Sequence, residues 1–596
     1  MIAREAHCRW FDVNLKSMAE YPILDLPQES LVVFVASTTG QGETPEMMKP
    51  FWTFLLRRSL PKNSLIRMRF AVFALGDSGY QKFNAVGRRL ARRLEDLGGA
   101  PLVPVGLGDD QEPAGYDTAL APWLQKLWSV LQAAHPVPAG VQLPDPRALP
   151  SLRYTVEPSH MAMVEESAAP PVEPVPPSAH NPGVGRVVTN RGLTSDPTER
   201  DVRHIEITLP PAATYNVGDV LCVQPRNSPD SVCEFLRTMG LDGNQTYEIG
   251  PREVGAHCPF PKIISLTELA TRFFDFWTTP RRRFFELIAH FASDEVQRER
   301  LEEFASGEGR DELYEYCQKQ GRSILEVFRD FPSARPPVHW LVELMPRLKH
   351  REFSISSAPE MVPGQCSITV AVVRYTSKSK IERLGVCSNY LASLDPTQQP
   401  PVSVWIKPGS MRPPESLSTP LVMVGPGTGL APHRGAMQHR ARQKELEGHD
   451  GVVPDILVFG CRQRELDWLY RDEHETAIQK GQLQHLFTAF SRQGPQKDYV
   501  QHQLALHGAE IWAALSAGGC FHLAGCRHAT PRDTRDTPPL GPHHTPPPRT
   551  VSVSPQRGRS SGDMPKDVHA ALENIIVQHG GMDQAAAQAL LAKMER

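Results

Sequence analysis

The chain has 596 residues, 40% of them hydrophobic and 22% charged, with a formal net charge of −3. That length calls for roughly three or four domains of about 150 residues, and the near-neutral balance gives no electrostatic basis for binding nucleic acid or another polyanion. No stretch reaches the ~20 apolar residues that span a bilayer, none reads as a signal peptide, and the ten cysteines form neither CxxC pairs nor His/Cys clusters, so a reducing, cytosolic setting without a metal site fits.

In chain order, the β-branched run 31–36 predicts a strand, 48–60 an amphipathic helix, 70–77 a strand, 83–98 a helix, 100–110 a strand and 121–132 a closing helix. Strands alternating with helices predict a parallel, doubly wound sheet over residues 1–135. From 136 to 183 the composition turns proline-rich, with PVEPVPP at 171–177, which predicts a semi-rigid spacer without a core of its own. Antiparallel strand patterns follow at 185–190, 201–210 and 219–225, then a mostly helical stretch over about 229–337, then strand patterns at 351–358, 367–376 and 401–409. These predict a β-barrel over 184–415 with a helical insertion. The βαβ alternation resumes in 416–596, with strands at 420–425, 455–461, 484–490 and 520–525. Inside that domain, 527–562 is rich in Pro, Arg, His and Thr; a structureless run of about 35 residues is foreign to a compact domain.

Several strings carry chemistry. STTGQGE (37–43) puts hydroxyl residues and glycine at a strand's end, a loop able to cradle phosphate or a flat ring. GPGTGLAP (425–432) joins a strand to a helix; its glycines admit a diphosphate close to the backbone, and the helix N-terminus adds free N–H groups and a favourable dipole. Its spacing is not the usual dinucleotide fingerprint, so alone it is balanced between a cofactor loop and a plain glycine turn. In SRQGPQKDY (491–499), Ser491, Arg492 and Lys497 can surround a phosphate monoester and Tyr499 can pack on a purine, favouring NADPH over NADH. Alone it reads more readily as a surface loop. In REFS (351–354), alternation sets Arg351 and Phe353 on one face and Ser354 on the other; arginine can pair with a diphosphate and phenylalanine can cover a ring. GVCSNYL (385–391) opens a helix with glycine and offers the Ser388 hydroxyl in its first turn, as an ordinary cap also would.

In this order, and with LGDSGYQKFN (75–84), LGDD (107–110), GCR (460–462) and LAG (523–525), the chain resembles the diflavin reductases, nearest to their cytosolic NADPH-dependent branch. The microsomal cytochrome reductases share the architecture but carry an N-terminal membrane helix not matched here. The resemblance runs from about residue 20 to the end, apart from the spacer and 527–562. It implies an α/β and β multi-domain fold: a flavodoxin-like doubly wound domain, an FAD-binding antiparallel β-barrel with a helical connecting insertion, and a ferredoxin–NADP reductase-like NADPH-binding α/β domain.

The resemblance also implies FMN, FAD and NADPH as cofactors. Ser37, Thr38, Thr39 and Gly40 would form one FMN loop. Leu75, Gly76, Asp77, Ser78, Gly79, Tyr80, Gln81, Lys82, Phe83 and Asn84 would form the next, with Tyr80 stacked on the isoalloxazine, Asn84 bonding the framing backbone and Asp110 near the flavin edge. Arg351, Glu352, Phe353 and Ser354 would hold FAD, Ser354 close to N5, while Gly385, Val386, Cys387 and Ser388 would meet its diphosphate. Gly427, Thr428 and Gly429 would meet the NADPH diphosphate, and Ser491, Arg492, Lys497, Asp498, Tyr499, Val500 and Gln501 its 2′-phosphoadenosine end. Asp567 would stand on the nicotinamide side, catalytic together with Ser354. The implied route runs from NADPH to FAD to FMN to a one-electron acceptor, an iron–sulfur protein of the anamorsin type in cytosolic iron–sulfur protein assembly.

Three departures temper this. The family's opening strand and hydroxyl-rich FMN-phosphate loop are unmatched, Cys526 stands where asparagine is usual, and the sequence closes on KMER without the aromatic that covers the FAD ring. Weak FMN retention is therefore expected, and two other readings stay open: an FAD-only NADPH diaphorase, and a non-catalytic form that only binds the partner.

Overall fold

Val32, Val33, Phe34 and Val35 favour extended backbone because branched and ring side chains pack well on a pleated surface. In the computed structural model they lie in β1 (Leu31–Ser37), which pairs in parallel with β2 (Arg69–Gly76). The structure describes residues 2–39, 42–79, 82–112, 115–138, 148–159, 176–179, 181–252, 258–377, 380–525 and 564–594, with positions 140, 141, 143 and 145. Gly40, Tyr80, Gln81 and the 527–562 insert lie outside the described residues. Strand β2 also pairs in parallel with Ala100–Pro101 and with β3 (Gly106–Asp109). The single strand expected over 100–110 is thus split, since Pro101 and Pro104 lack the N–H a ladder needs. Helix α1 (Ala85–Asp96) covers the face carrying Phe34, Phe70 and Val72, and α2 (Asp117–Ala134) the face carrying Ala71 and Phe73.

The spacer expected over 136–183 needs correction. Within it, Tyr154–Ser159 is a strand, paired antiparallel with Thr246–Pro251, which pairs in turn with Ile263–Ser265. Tyr154, Thr155 and Val156 are strong strand formers, and Val156 is buried in the core of the insertion. The insertion, expected to be mostly helical, therefore supplies two strands of a three-stranded sheet.

The barrel is built from β4 (Gly183–Gly192), β5 (Val202–Thr208), β6 (Val220–Gln224), β7 (Arg351–Ser354), β8 (Gln365–Ala371) and β9 (Pro401–Lys407), in the order β7–β6–β9–β4–β5–β8. A bridge between Ile355 and Ile368 joins the two ends of this sheet. Val187, Ile205, Ile207, Leu221, Val223, Ile368 and Val404 fill its interior. Helix α3 (Val386–Ser393) follows β8 in the chain.

The last sheet is parallel throughout, ordered β12–β11–β10–β13 from β10 (Leu421–Pro426), β11 (Ile456–Cys461), β12 (His485–Phe490) and β13 (Cys520–Leu523). Helix α4 (Leu430–Glu447) follows β10. From it the fully buried Arg440 donates to both oxygens of Asp455 (2.6 and 3.0 Å) and to the carbonyls of Pro414, Ser416, Leu417 and Thr419 (2.9–3.2 Å). One guanidinium thereby pins the passage from barrel to sheet. Among the described residues no helix is long and apolar enough to cross a membrane.

Candidate functional site

Parallel strands release their following loops at one sheet edge, where open α/β sheets bind ligands. After β1 and β2, Thr38 N donates to Leu75 O at 2.9 Å, and Thr38 Oγ1 accepts from Val86 N at 3.2 Å. After β3, Asp110 N donates to Gly76 O at 2.9 Å, and Asp109 Oδ1 accepts from the amides of Ser78 (2.9 Å) and Gln111 (3.0 Å). Burial pushes the Asp109 carboxyl up, but hydrogen bonds from Ser78 and Gln111 outweigh it and hold it below the usual carboxylate range. Asp77 Oδ1 accepts from Gly79 N at 2.7 Å. Asn84, fully buried and left-handed (φ 54°), donates to Gly108 O at 3.0 Å, while its Oδ1 has no partner. Thr39, Ser78, Gly79 and Lys82 are exposed, and Ser37, Leu75, Gly76 and Phe83 half-buried. This edge of hydroxyls and amides suits the polar rim of a flavin. Asp110 pairs with Arg281 of the insertion at 2.9 Å, and that guanidinium also lies 4.6 Å over the Tyr116 ring.

On β7, Arg351 is exposed and donates to the carbonyls of Lys349 (2.8 Å) and His350 (3.2 Å). Phe353 packs on the barrel core and Ser354 is half-buried. Glu352 belongs to the other face. Its register partner is Cys222, and its carboxylate lies 2.9 Å from Lys407 Nζ and 3.7 Å from His350 Nε2. His350 first, then Lys407, hold its pKa at about 2. Strand alternation puts Glu352 on the face of Ser354, away from Arg351 and Phe353, where Lys407 and His350 already engage its carboxylate. The Cys222, His350 and Glu352 donor atoms stand within 4.8 Å of one another, with the Lys407 ammonium already balancing the carboxylate.

Gly385 opens α3, and the Ser388 hydroxyl is spent inside the protein, accepting from Val373 N (3.0 Å) and donating to Gly385 O (3.2 Å). Cys387 is buried, which pushes its thiol up to about 12, and Val386 is half-buried. With both polar side chains turned inward, this turn has backbone N–H groups to offer a diphosphate.

Strand β10 runs through the tight turn Gly427–Gly429 into α4. Gly427 has φ +57°, a backbone that disfavours a side chain, and a Cβ on Gly429 would lie 2.6 Å from Ala524 O, which excludes one there. Thr428 between them is half-buried. Arg200, from the barrel, reaches Gly427 so closely that a Cβ there would stand 2.9 Å from its Nη2. It is held by Asp467 at 2.9 Å, whose other oxygen accepts from the amides of Arg462 and Gln463. Ser491 N and Arg492 N donate to Cys461 O (3.0 Å) and Arg462 O (2.8 Å), setting this loop beside Arg462. Burial, then the charges of Arg200 and Arg492, lower the Arg462 pKa. Three guanidiniums thus share one field. Neither Arg200 nor Arg462 stands out as a ligand from the sequence; GCR is the one signal for Arg462, and Arg200 has none.

Lys497 is exposed, Asp498 accepts from Gln503 at 2.7 Å, and Tyr499 N donates to His502 Nδ1 at 3.3 Å at the start of α5 (Val500–Leu506). The Val500 side chain is buried in the sheet's core, against Gly460, so its backbone is what it can offer a ligand. Gln501 donates to Asp567 at 3.4 Å, while its Oε1 is buried without a partner. Asp567 therefore stands beside Gln501, at odds with placing the two at opposite ends of a dinucleotide. The reason is packing: α6 (Met564–Gly580) lies along α5 and carries its first turn there. A cationic cluster, a glycine-flanked turn at a helix N-terminus and an unpartnered amide oxygen fit a phosphorylated dinucleotide.

Family models agree with this geometry in the same order: a flavodoxin model matches residues 1–123, an FAD binding domain model 175–390 and an oxidoreductase NAD-binding domain model 423–520. The chain is 41% identical over 547 residues to "NADPH-dependent diflavin oxidoreductase 1" of Bos taurus, covering 90% of each chain. It is 38% identical over 608 residues to the protein of that name from Mus musculus (100% of this chain, 94% of the relative) and 39% over 562 residues to that of Arabidopsis thaliana (89% and 90%). Three cofactor loops on three folds, in this order and at this identity, place the chain in the family of NADPH-dependent diflavin oxidoreductases, with FMN, FAD and NADPH as its cofactors.

Proposed function

We propose that the chain carries electrons from NADPH through FAD and FMN to a one-electron protein acceptor, an iron–sulfur protein of the anamorsin type in cytosolic iron–sulfur protein assembly. The observation that carries the route is the Asp110–Arg281 contact, which sets the edge of the first loop cluster against the insertion of the FAD barrel. The acceptor is supported by the family resemblance. A cytoplasmic setting is supported by the nine described cysteines, all free thiols.

When bound, the flavins accept the electron pair that leaves NADPH together and release it singly. The chain's part is positioning. Gly427, Thr428, Gly429 and Arg200 would hold the NADPH diphosphate, and Arg462, Ser491, Arg492, Lys497, Tyr499 and Gln501 its phosphoadenosine. Amides at 385–388 with Arg351 would hold the FAD diphosphate, and Ser354 would set a hydroxyl beside the reacting ring edge. Thr38, Thr39, the 75–84 loop and Asp110 would frame FMN.

The test is flavin extraction from purified protein, with reduction of an iron–sulfur acceptor by NADPH measured beside it. Equal FMN and FAD with acceptor reduction supports the proposal. FAD alone, with only artificial acceptors reduced, leaves a diaphorase; neither flavin leaves a binding form.

A further inference from the structure

Between the NADPH turn and the strand carrying Ser354 lies a buried polar network that neither cofactor loop uses. Tyr470 enters it from Leu469 in the core of the last domain, with φ 54°, a left-handed backbone that a bulky residue keeps only when its surroundings hold it. Its hydroxyl reaches Thr369 Oγ1 at 2.8 Å and His204 Nδ1 at 3.0 Å. These two residues face each other across β8 and β5, so the phenol of one domain spans a rung of the other's barrel.

The protonation pattern follows. Burial works against charge on Glu206, but bonds from Thr189 and His204 outweigh it and keep the carboxylate ionised. His204 Nε2, 3.1 Å from that carboxylate, must carry the ring proton, and burial keeps the imidazole neutral. Nδ1 is then an acceptor, and Tyr470 donates to it while accepting from Thr369.

Arg434, on α4, lies 4.6 Å over the Tyr470 ring and is gripped twice by Glu473 (2.7 and 2.9 Å). Through Nη1 it donates to Ser356 O (2.8 Å) and Ser367 Oγ (3.3 Å). Ser356 lies two residues beyond Ser354. The same helix meets this segment again, since Gln438 Oε1 accepts from Ala358 N at 3.0 Å and a Cβ on Gly435 would stand 3.1 Å from Ser357 O. Helix α4 begins directly after Gly427–Gly429. One helix thus holds the diphosphate turn at its start and the continuation of the Ser354 strand along its first turns.

We propose that Tyr470, acting through Arg434 and the His204–Thr369 rung, is a positioning residue for hydride transfer: it fixes the spacing between the NADPH turn and the Ser354 strand while touching neither cofactor. The proposal rests on the site assignment above. Misplacement of reactants by about 1 Å can slow a reaction by ~100-fold, so a clamp at this joint acts on rate more than on affinity.

The test uses the full-length holoenzyme. Tyr470→Phe keeps the ring and removes the hydroxyl; Tyr470→Phe/His204→Leu also removes the imidazole left without its donor. Flavin reduction at saturating NADPH, read by stopped flow, should slow about tenfold in both variants. Affinity for 2′,5′-ADP should stay within about twofold, and amide exchange across 355–358 should accelerate. The double variant, which also takes a partner from Glu206, should not recover the rate, and melting temperature serves as the check that both variants fold. A single variant with the parental rate, or a double variant whose rate recovers, overturns the proposal. Parent protein that binds no 2′,5′-ADP overturns the site assignment instead, a result read before any variant is made.

Discussion

His433 and His474 are imidazoles sealed from water, and burial takes them down to about 3 and about 4. In the unfolded chain each takes up a proton below about pH 6.5. The folded pKa lies below the unfolded one, so stability is full above about pH 6.5 and falls as the pH drops toward 4, by ~1.4 kcal/mol per unit for each ring. Urea unfolding at pH 7 and pH 5 should show that loss, and His433→Phe should remove its share of the slope. If Arg492 holds the 2′-phosphate as proposed, Arg492→Ala removes a charge-assisted bond of about 1.5–3 kcal/mol. It should raise the KM for NADPH roughly 10- to 100-fold and leave that for NADH nearly unchanged. Arg492 stands out in the sequence because Ser491 and Lys497 share its loop. Arg200 does not, because it arrives from the barrel and its partner Asp467 belongs to another domain.

Among the elements, the strands of the two parallel sheets are legible because both faces are covered, giving unbroken apolar runs such as those in β10 and β11. The strand Tyr154–Ser159 is not: its partner lies in the insertion, and the prolines on either side dominate the composition of that stretch. Val156 is the test of its weight. Buried at 8% exposure in the insertion's core, it should cost about 1–2 kcal/mol of unfolding free energy when changed to alanine, measured by denaturant titration. A value near zero would mean that this strand contributes nothing to the insertion's stability. Val500 teaches the opposite lesson. Its neighbours in the loop are polar, and only the close approach of Gly460 shows that the valine turns inward.

For the whole molecule, the order of the modules is written in the sequence, while the contacts between them are not. Asp110 and Arg281 are both substantially exposed, so their ion pair is worth about 0–1 kcal/mol and weakens with salt. Arg281→Asp should therefore loosen the docking of the FMN side by at most about fivefold, and the swap with Asp110→Arg should restore it, read as salt-dependent FAD-to-FMN electron transfer. The other junction is of a different kind. Arg440 holds four carbonyls of the 414–419 passage and is itself fully buried on Asp455. A protease needs several residues of extended backbone to pull into its cleft, and this passage has its carbonyls already tied down. Digestion of the native protein should therefore leave the barrel and the last sheet joined in one fragment, with no new N-terminus generated between residues 414 and 419.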